Sequence, residues 1–216
     1  SAQAILNFNN SGLSILEISH RSKDFVAVME EARSLALELL GLTGKGYQAL
    51  FLQGGASMEF LRIPYNLLPT HGKAVYLDTG TWASAAIKEA KAFGETIVVA
   101  SSKDSNYNYI PNNFSIPDDS SYFHCTSNNT IFGTQMKSFP NTNIPMVCDM
   151  SSDIFSRVLN FSKFDLYLLF NFSTSSNPVS IISLSTLSSF LVDVVQSPRS
   201  AKYKFSTSSS SVSLVS

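Results

Sequence analysis

Four places in the chain set residues able to do chemistry just past a short apolar run. In "ALFLQGGASMEF" the run stops at Gly54, Gly55, Ala56 and Ser57 before a helical rhythm begins. A helix start leaves backbone N–H groups unpaired and carries partial positive charge, so an anion can sit there if the backbone can approach it. Small residues permit that approach, and the Ser57 hydroxyl adds a donor. In "DTGTWASAA" Trp82 opens a helix after a strand, where an indole can cover a flat ligand. "TSNNTIFGTQ" offers the Thr130 hydroxyl after another strand end, and "PMVCDMSSDIFS" places Asp149 just past an apolar run. Open α/β sheets present functional groups at the C-terminal ends of their strands. Each feature also has a plain reading: a tight turn without a ligand, a packed tryptophan, a polar turn, and the N-cap of a following helix.

Taken together, an anion cradle, an aromatic cover and a carboxylate meet the needs of a phosphorylated heteroaromatic cofactor. Pyridoxal 5′-phosphate fits, because its ring nitrogen needs an acidic partner to keep the ring an electron sink. A hydrolase built on Ser57, His20 and Asp149 is remote, since "GGASM" is not a G-x-S-x-G elbow.

The elements that must position these residues read as α/β. "RSKDFVAVMEEARSLALELLGL" has helical spacing and ends at Gly41. "YQALFLQ", "KAVYLDT", "TIVVAS", "YFHCTS" and "PMVCDMS" read as strands. "SMEFLRIPYNLL" reads as a helix kinked or ended near Pro64, and "WASAAIKEAKAFG" as a helix closed by Gly94. Strands alternating with helices suggest βαβ units and a mostly parallel sheet. "SSKDSNYNYIPNNFSIPDDS" reads as a loop.

Composition excludes several partners. With 216 residues the chain can bury a large core. Its formal charge is -1 and no basic stretch stands out, which argues against nucleic acid. No apolar run reaches the roughly 20 residues of a membrane span, and no secretory leader is visible, so a cytoplasmic protein is expected. Cys125 and Cys148 make no disulfide framework or metal spacing and are expected to be buried free thiols. The N-x-S/T triplets, such as Asn128-Asn129-Thr130, then read as chance. After Leu166 the texture changes to Ser, Thr, Leu, Val and Phe, with no glycine after Gly133 and no glutamate after Glu95. A polar tail, a shifted reading frame and misassigned residues compete as its origin. The expected division is therefore residues 1–166, a cofactor-binding large domain, and 167–216, a Ser-rich tail or the rest of that large domain, on which no function is placed.

Five segments together resemble the phosphoserine aminotransferase family: "SGLSILEISHRSKDF", "LFLQGGASMEFLRIPYNLL", "YLDTGTWASAAIKEAKAFGE", "HCTSNNTIFGTQ" and "IPMVCDMSSDIFSR". The resemblance implies a fold-type-I pyridoxal-phosphate transferase large domain, with a mostly parallel sheet between helices and the small C-terminal domain absent or unrecognisable. It implies that Ala56 and Ser57 bind the cofactor phosphate, Trp82 stacks on the ring, Thr130 contacts the ring oxygen, and Asp149 partners the ring nitrogen. Arg21 would grip the substrate carboxylate with its bidentate fork, with His20 beside it for the substrate phosphate or in a structural role. It further implies amino transfer from L-glutamate to 3-phosphohydroxypyruvate, giving 2-oxoglutarate and O-phosphoserine, in serine and possibly vitamin B6 biosynthesis, by a homodimer. Two departures stand out. The family's short N-terminal motif would precede the first residue here, and its Gln-Lys pair, whose lysine forms the Schiff base, has no counterpart in "LYLLFNFSTSSNPVS". Only Lys202 and Lys204 come later, and neither matches the motif. The rival readings are another class-V enzyme, such as an alanine–glyoxylate or serine–glyoxylate aminotransferase or a cysteine desulfurase, and a non-catalytic truncated homologue.

Overall fold

The computed structural model describes residues 2–169 and 190–196. Lys202, Lys204 and most of the Ser-rich 167–216 segment lie outside the described residues. The elements run α1 (Ala2–Leu6), α2 (Lys23–Leu39), β1 (Tyr47–Gln53), α3 (Gly55–Leu67), β2 (Lys73–Asp78), α4 (Thr81–Ala90) and β3 (Glu95–Ser101). Next come β4 (Tyr122–Thr126), β5 (Asn128–Asn129), β6 (Thr134–Gln135), β7 (Met146–Asp149), β8 (Leu166–Leu169) and β9 (Phe190–Gln196).

Seven strands form one sheet in the order β1-β9-β8-β7-β4-β2-β3. The β2/β3, β2/β4, β4/β7 and β7/β8 pairs are parallel. Strand β9 runs antiparallel to both β1 and β8, so β1 points the same way as the parallel set. This is the expected fold-type-I large-domain sheet, mostly parallel with one reversed strand. Strand β9 falls inside the 167–216 segment, read from the sequence as a Ser-rich tail or the rest of the large domain.

Strand alternation splits the core into two layers. Val75, Leu77, Phe123, Cys125, Met146 and Cys148 face one side, where Leu40, Leu42, Tyr47 and Phe164 join them. Ala74, Tyr76, Tyr122 and Val147 face the other, against Phe60 and Ile63 of α3 and Ala86, Ile87 and Ala90 of α4. Both cysteines are buried and free, as expected. Among the described residues, no helix is long and apolar enough to cross a membrane.

Local rules explain most boundaries. Ser22 caps α2 by accepting a hydrogen bond from the Phe25 N–H, and Gly41 follows the helix at φ +64°. Helix α3 does not end at Pro64 but runs through it to Leu67. Proline removes one N–H from a helix, and here only the last few residues follow it, with Pro64 buried against the core. Helix α4 stops at Ala90, short of Gly94. A turn over residues 91–93 intervenes, and Gly94 sits against Leu68 and the Gly72 carbonyl.

On the α3/α4 face, His124 is fully buried and stacks on Tyr76 at 4.9 Å, with Phe60 edge-on at 6.4 Å. Neither ring nitrogen has a hydrogen-bond partner among the described residues. Burial alone drives its pKa down to about 3. The folded protein therefore holds His124 neutral at pH values where the unfolded chain takes up a proton. The stability this neutrality protects is complete above the unfolded value near 6.5 and is lost as pH falls toward 3. In urea melts, His124→Phe is expected to lack this loss. Relative to it, the parent should drop by about 2 kcal/mol between pH 7.5 and pH 5, and a constant gap would refute the assignment.

Candidate functional site

The C-terminal ends of β1, β2, β4 and β7 lie on one edge of the sheet, and each carries part of the site. Past β1 comes the Gly54–Gly55 turn. Gly54 adopts φ +114°, and a Cβ there would lie 2.3 Å from the Met58 Cγ, so the turn requires glycine. No side chain caps α3. Its first-turn amides, at Gly55, Ala56 and Ser57, therefore have no side-chain cap, and the helix dipole lies behind them. Arg62 ties the turn down from the next turn of α3. It donates to the Gln53 carbonyl at 2.6 Å and pairs with the buried Glu59 carboxylate.

Past β2, Gly80 precedes α4, which is also without a side-chain cap. A Cβ on Gly80 would lie 2.8 Å from Asn129 Oδ1, so glycine lets the α4 start approach the β5–β6 hairpin. Thr79 Oγ1 donates to that same Asn129 Oδ1 at 3.3 Å. Trp82, in the first turn of α4, is 44% exposed and is not a core residue. Thr130 sits exposed in the turn of the hairpin.

Asp149 ends β7, with its residue 5% exposed. No helix follows it, so it is not an N-cap. Its Oδ1 instead accepts from the Ser151 N–H at 3.0 Å and the Ser151 hydroxyl at 2.5 Å, a local Asx-type turn. Its Oδ2 has no hydrogen-bond partner among the described residues. Burial raises the Asp149 pKa, the Ser151 bonds pull it back, and the nearby Asp153 charge raises it further. Asp153 is buried too and paired with Arg157 at 2.9 Å. It also accepts from Ser127 and, at 3.2 Å, from Gln135. Ser127 Oγ in turn donates to the Asp149 carbonyl at 3.1 Å. The hairpin and the Asp149 strand end are thus tied together.

The segments that carry Trp82, Thr130 and Asp149 are linked through Thr79–Asn129 and Ser127–Asp149, and Ala56 and Ser57 follow β1 on the same edge. Arg21 and His20 are not brought in. They lie exposed in the turn before α2, and among the described residues no hydrogen bond or ion pair holds either side chain. Sequence reasoning missed Ser151, Ser127, Asp153 and Asp78. The signal for Asp78 was present, since it closes an apolar strand as Asp149 does. Ser151 is local to Asp149, two residues on, whereas the Ser127–Asp153 contact joins segments 26 residues apart. No group of side chains suited to a metal ion occurs among the described residues.

A mostly parallel sheet with these groups past its strand ends is an α/β architecture that presents functional groups at one edge. The chain belongs to the class-V aminotransferase family, which it matches over residues 2–174. Among its relatives, the phosphoserine aminotransferase of Flavobacterium psychrophilum is 81% identical over 166 residues, covering 77% of this chain and 47% of the relative. That of Parabacteroides distasonis is 62% identical over 77% of this chain and 46% of the relative. The phosphoserine aminotransferase structure from Bacillus circulans subsp. alkalophilus superposes with a TM-score of 0.80 at 40% identity, covering 90% of this chain and 52% of that one. The pyridoxal-phosphate-bound enzyme from Trichomonas vaginalis gives 0.77 at 30% identity, covering 91% and 56%. The chain spans about half the length of these relatives.

Ser151→Ala removes the 2.5 Å bond to Asp149 while keeping the backbone bond. That bond favours the charged carboxylate. The Asp149 carboxyl carbon, followed by NMR titration, is therefore expected to titrate higher in the variant. An unchanged midpoint would show that Ser151 does not hold the charge.

Proposed function

We propose that this chain forms the cofactor-cradling part of a pyridoxal-phosphate-dependent phosphoserine aminotransferase. In this reading the whole enzyme moves an amino group from L-glutamate to 3-phosphohydroxypyruvate in serine biosynthesis. The observation that carries the reading is Asp149: a buried carboxylate with one oxygen held by Ser151 and the other left over, on the same sheet edge as Trp82. The close relatives of that name support the same reading.

The residues present fit the cofactor. Ala56 and Ser57, at an uncapped helix start, suit its phosphate. Trp82 suits a ring face, and Thr130 suits the ring hydroxyl oxygen. Asp149 Oδ2 suits a protonated ring nitrogen, whose positive charge a carboxylate stabilises. When bound, pyridoxal phosphate supplies the electron sink for a bond broken at a substrate's α-carbon. The protein's part is to hold the ring, keep its nitrogen protonated through Asp149, and anchor the phosphate against α3. Arg21 is proposed to bind the substrate carboxylate, with His20 beside it. No lysine falls between Lys163 and Lys202 in the sequence, so the family's lysine role is assigned to no described residue. A cytoplasmic homodimer belongs to the same proposal. Exposed Met58, Leu61 and Tyr65, spaced along one stripe of α3, support an interface there.

Trp82 is the sole tryptophan, so its fluorescence reports the site directly. Pyridoxamine 5′-phosphate, which needs no lysine, is expected to quench it saturably. Pyridoxamine without the phosphate should bind at least about tenfold more weakly, the loss of about 1.4 kcal/mol or more of anion binding. Asp149→Ala should weaken the phosphorylated ligand by a similar or larger factor. Equal affinity for both ligands, or no effect of Asp149→Ala, would sink the reading.

A further inference from the structure

Asp78 closes β2 and is 8% exposed. Its Oδ1 accepts from Ser84 Oγ at 2.7 Å. Its Oδ2 accepts from Ser101 Oγ at 2.9 Å and, at a long 3.4 Å, from the Tyr107 hydroxyl. Among the described residues no cation pairs with it, so three hydroxyls carry the whole task of replacing its water. A buried carboxylate is costly without such partners, yet this one serves no other described purpose.

The three donors come from separate elements. Ser84 lies in the first turn of α4, two residues past Trp82, where a carboxylate also meets the positive end of the helix. Ser101 ends β3. Tyr107 follows a loop in which Asn106 and Tyr107 both hold positive φ, at +56° and +59°. Asparagine adopts that backbone readily, but a bulky residue such as Tyr107 does so rarely. The strained loop brings the Tyr107 ring to 4.8 Å from Phe132 in the Thr130 hairpin, with its hydroxyl also 3.2 Å from Ser84 Oγ. One carboxylate therefore links the α4 start, the neighbouring strand and, through Tyr107, the hairpin.

We propose that Asp78 is a positioning residue for the ring-binding site, holding the first turn of α4 through Ser84 so that Trp82 keeps a fixed place at the strand ends. The inference rests on the reading of Trp82 as the cover of the cofactor ring. It concerns Asp78, which touches neither ring nor phosphate in that reading.

Three variants of the full chain test it, with pyridoxamine 5′-phosphate titrated against Trp82 fluorescence and acrylamide quenching measured without ligand. Ser84→Ala and Asp78→Asn are expected to weaken binding about tenfold, as loss of a hydrogen bond to a charged group does. Both should also make ligand-free Trp82 more accessible to acrylamide. Ser101→Ala cuts the same carboxylate from β3 but leaves the α4 bond. It should lower the melting temperature while keeping affinity within about twofold. If Asp78→Asn fails to fold, Ser84→Ala carries the test. Parent-like binding and quenching in Ser84→Ala would overturn the proposal, as would equal weakening by Ser101→Ala. A parent that binds no ligand would defeat the functional reading instead, and acrylamide access in Ser84→Ala would still decide the positioning claim.

Discussion

The register between β4 and β7 is the constraint on which the site depends. Thr126 pairs with Asp149 and His124 with Val147. That pairing ends both strands together and places Asp149 beside the start of the hairpin. A slip of one residue would exchange the faces of every side chain on the strand. Val147 would leave the α3/α4 layer, Cys148 would enter it, and Asp149 would turn to the opposite side. The alternation is guarded by bulk on both faces. Phe123 fits only one layer and Tyr122 only the other, where its hydroxyl meets that of Tyr76 at 2.7 Å. Burial pushes both phenols well above their usual range, so this pair stays neutral and acts as a fixed polar pin in an apolar layer.

Three buried carboxylates crowd the same edge, and each is satisfied in a different way. Asp153 has a guanidinium and a hydroxyl, Asp78 has hydroxyls, and Asp149 has one serine on one oxygen. The difference in partners sorts them into roles. A carboxylate with every acceptor used serves its surroundings and has little left for a ligand. A carboxylate with one oxygen held in place and the other unused is both oriented and available. Asp153, though paired with Arg157, still acts on Asp149, and its charge raises the Asp149 pKa.

Much of this was legible in the sequence. The strands YQALFLQ and KAVYLD stand where their apolar runs predict, because both layers of the sheet demand continuous apolar stretches there. The positions of Trp82, Thr130 and Asp149 at strand ends followed from the same punctuation. What could not be read was contact between segments far apart in the chain. Ser127 meets Asp153 across 26 residues and Tyr107 meets Asp78 across 29, and nothing local marks either. Pro64 misled for a related reason. Its local penalty is real, but α3 is held by packing against α4, and tertiary burial outweighed the missing hydrogen bond. Strand β9 was hidden by composition, since a short Val-rich stretch amid serine gives a weak signal.

The sheet order also divides the proposed cofactor site into two parts, a ring end and a phosphate end, with different dependencies. The ring end is built by adjacent strands β2, β4 and β7, all from the stretch 73–149, with the 151–157 turn behind them. The phosphate end reaches the same edge by another route. Strand β1 joins the sheet only through β9, on the far side of β8. The cradle at Gly54–Ser57 is therefore located in part by the antiparallel pairing of β1 with a late segment of the chain, and in part by the packing of Phe60 and Ile63 against α4. Loop closure between β1 and β9 spans well over a hundred residues, so its entropic cost falls on the phosphate end and not on the ring end. The α3–α4 contact is then the shorter-range tie that couples them. It packs α3 against α4, the helices whose uncapped starts carry Ala56–Ser57 and Trp82.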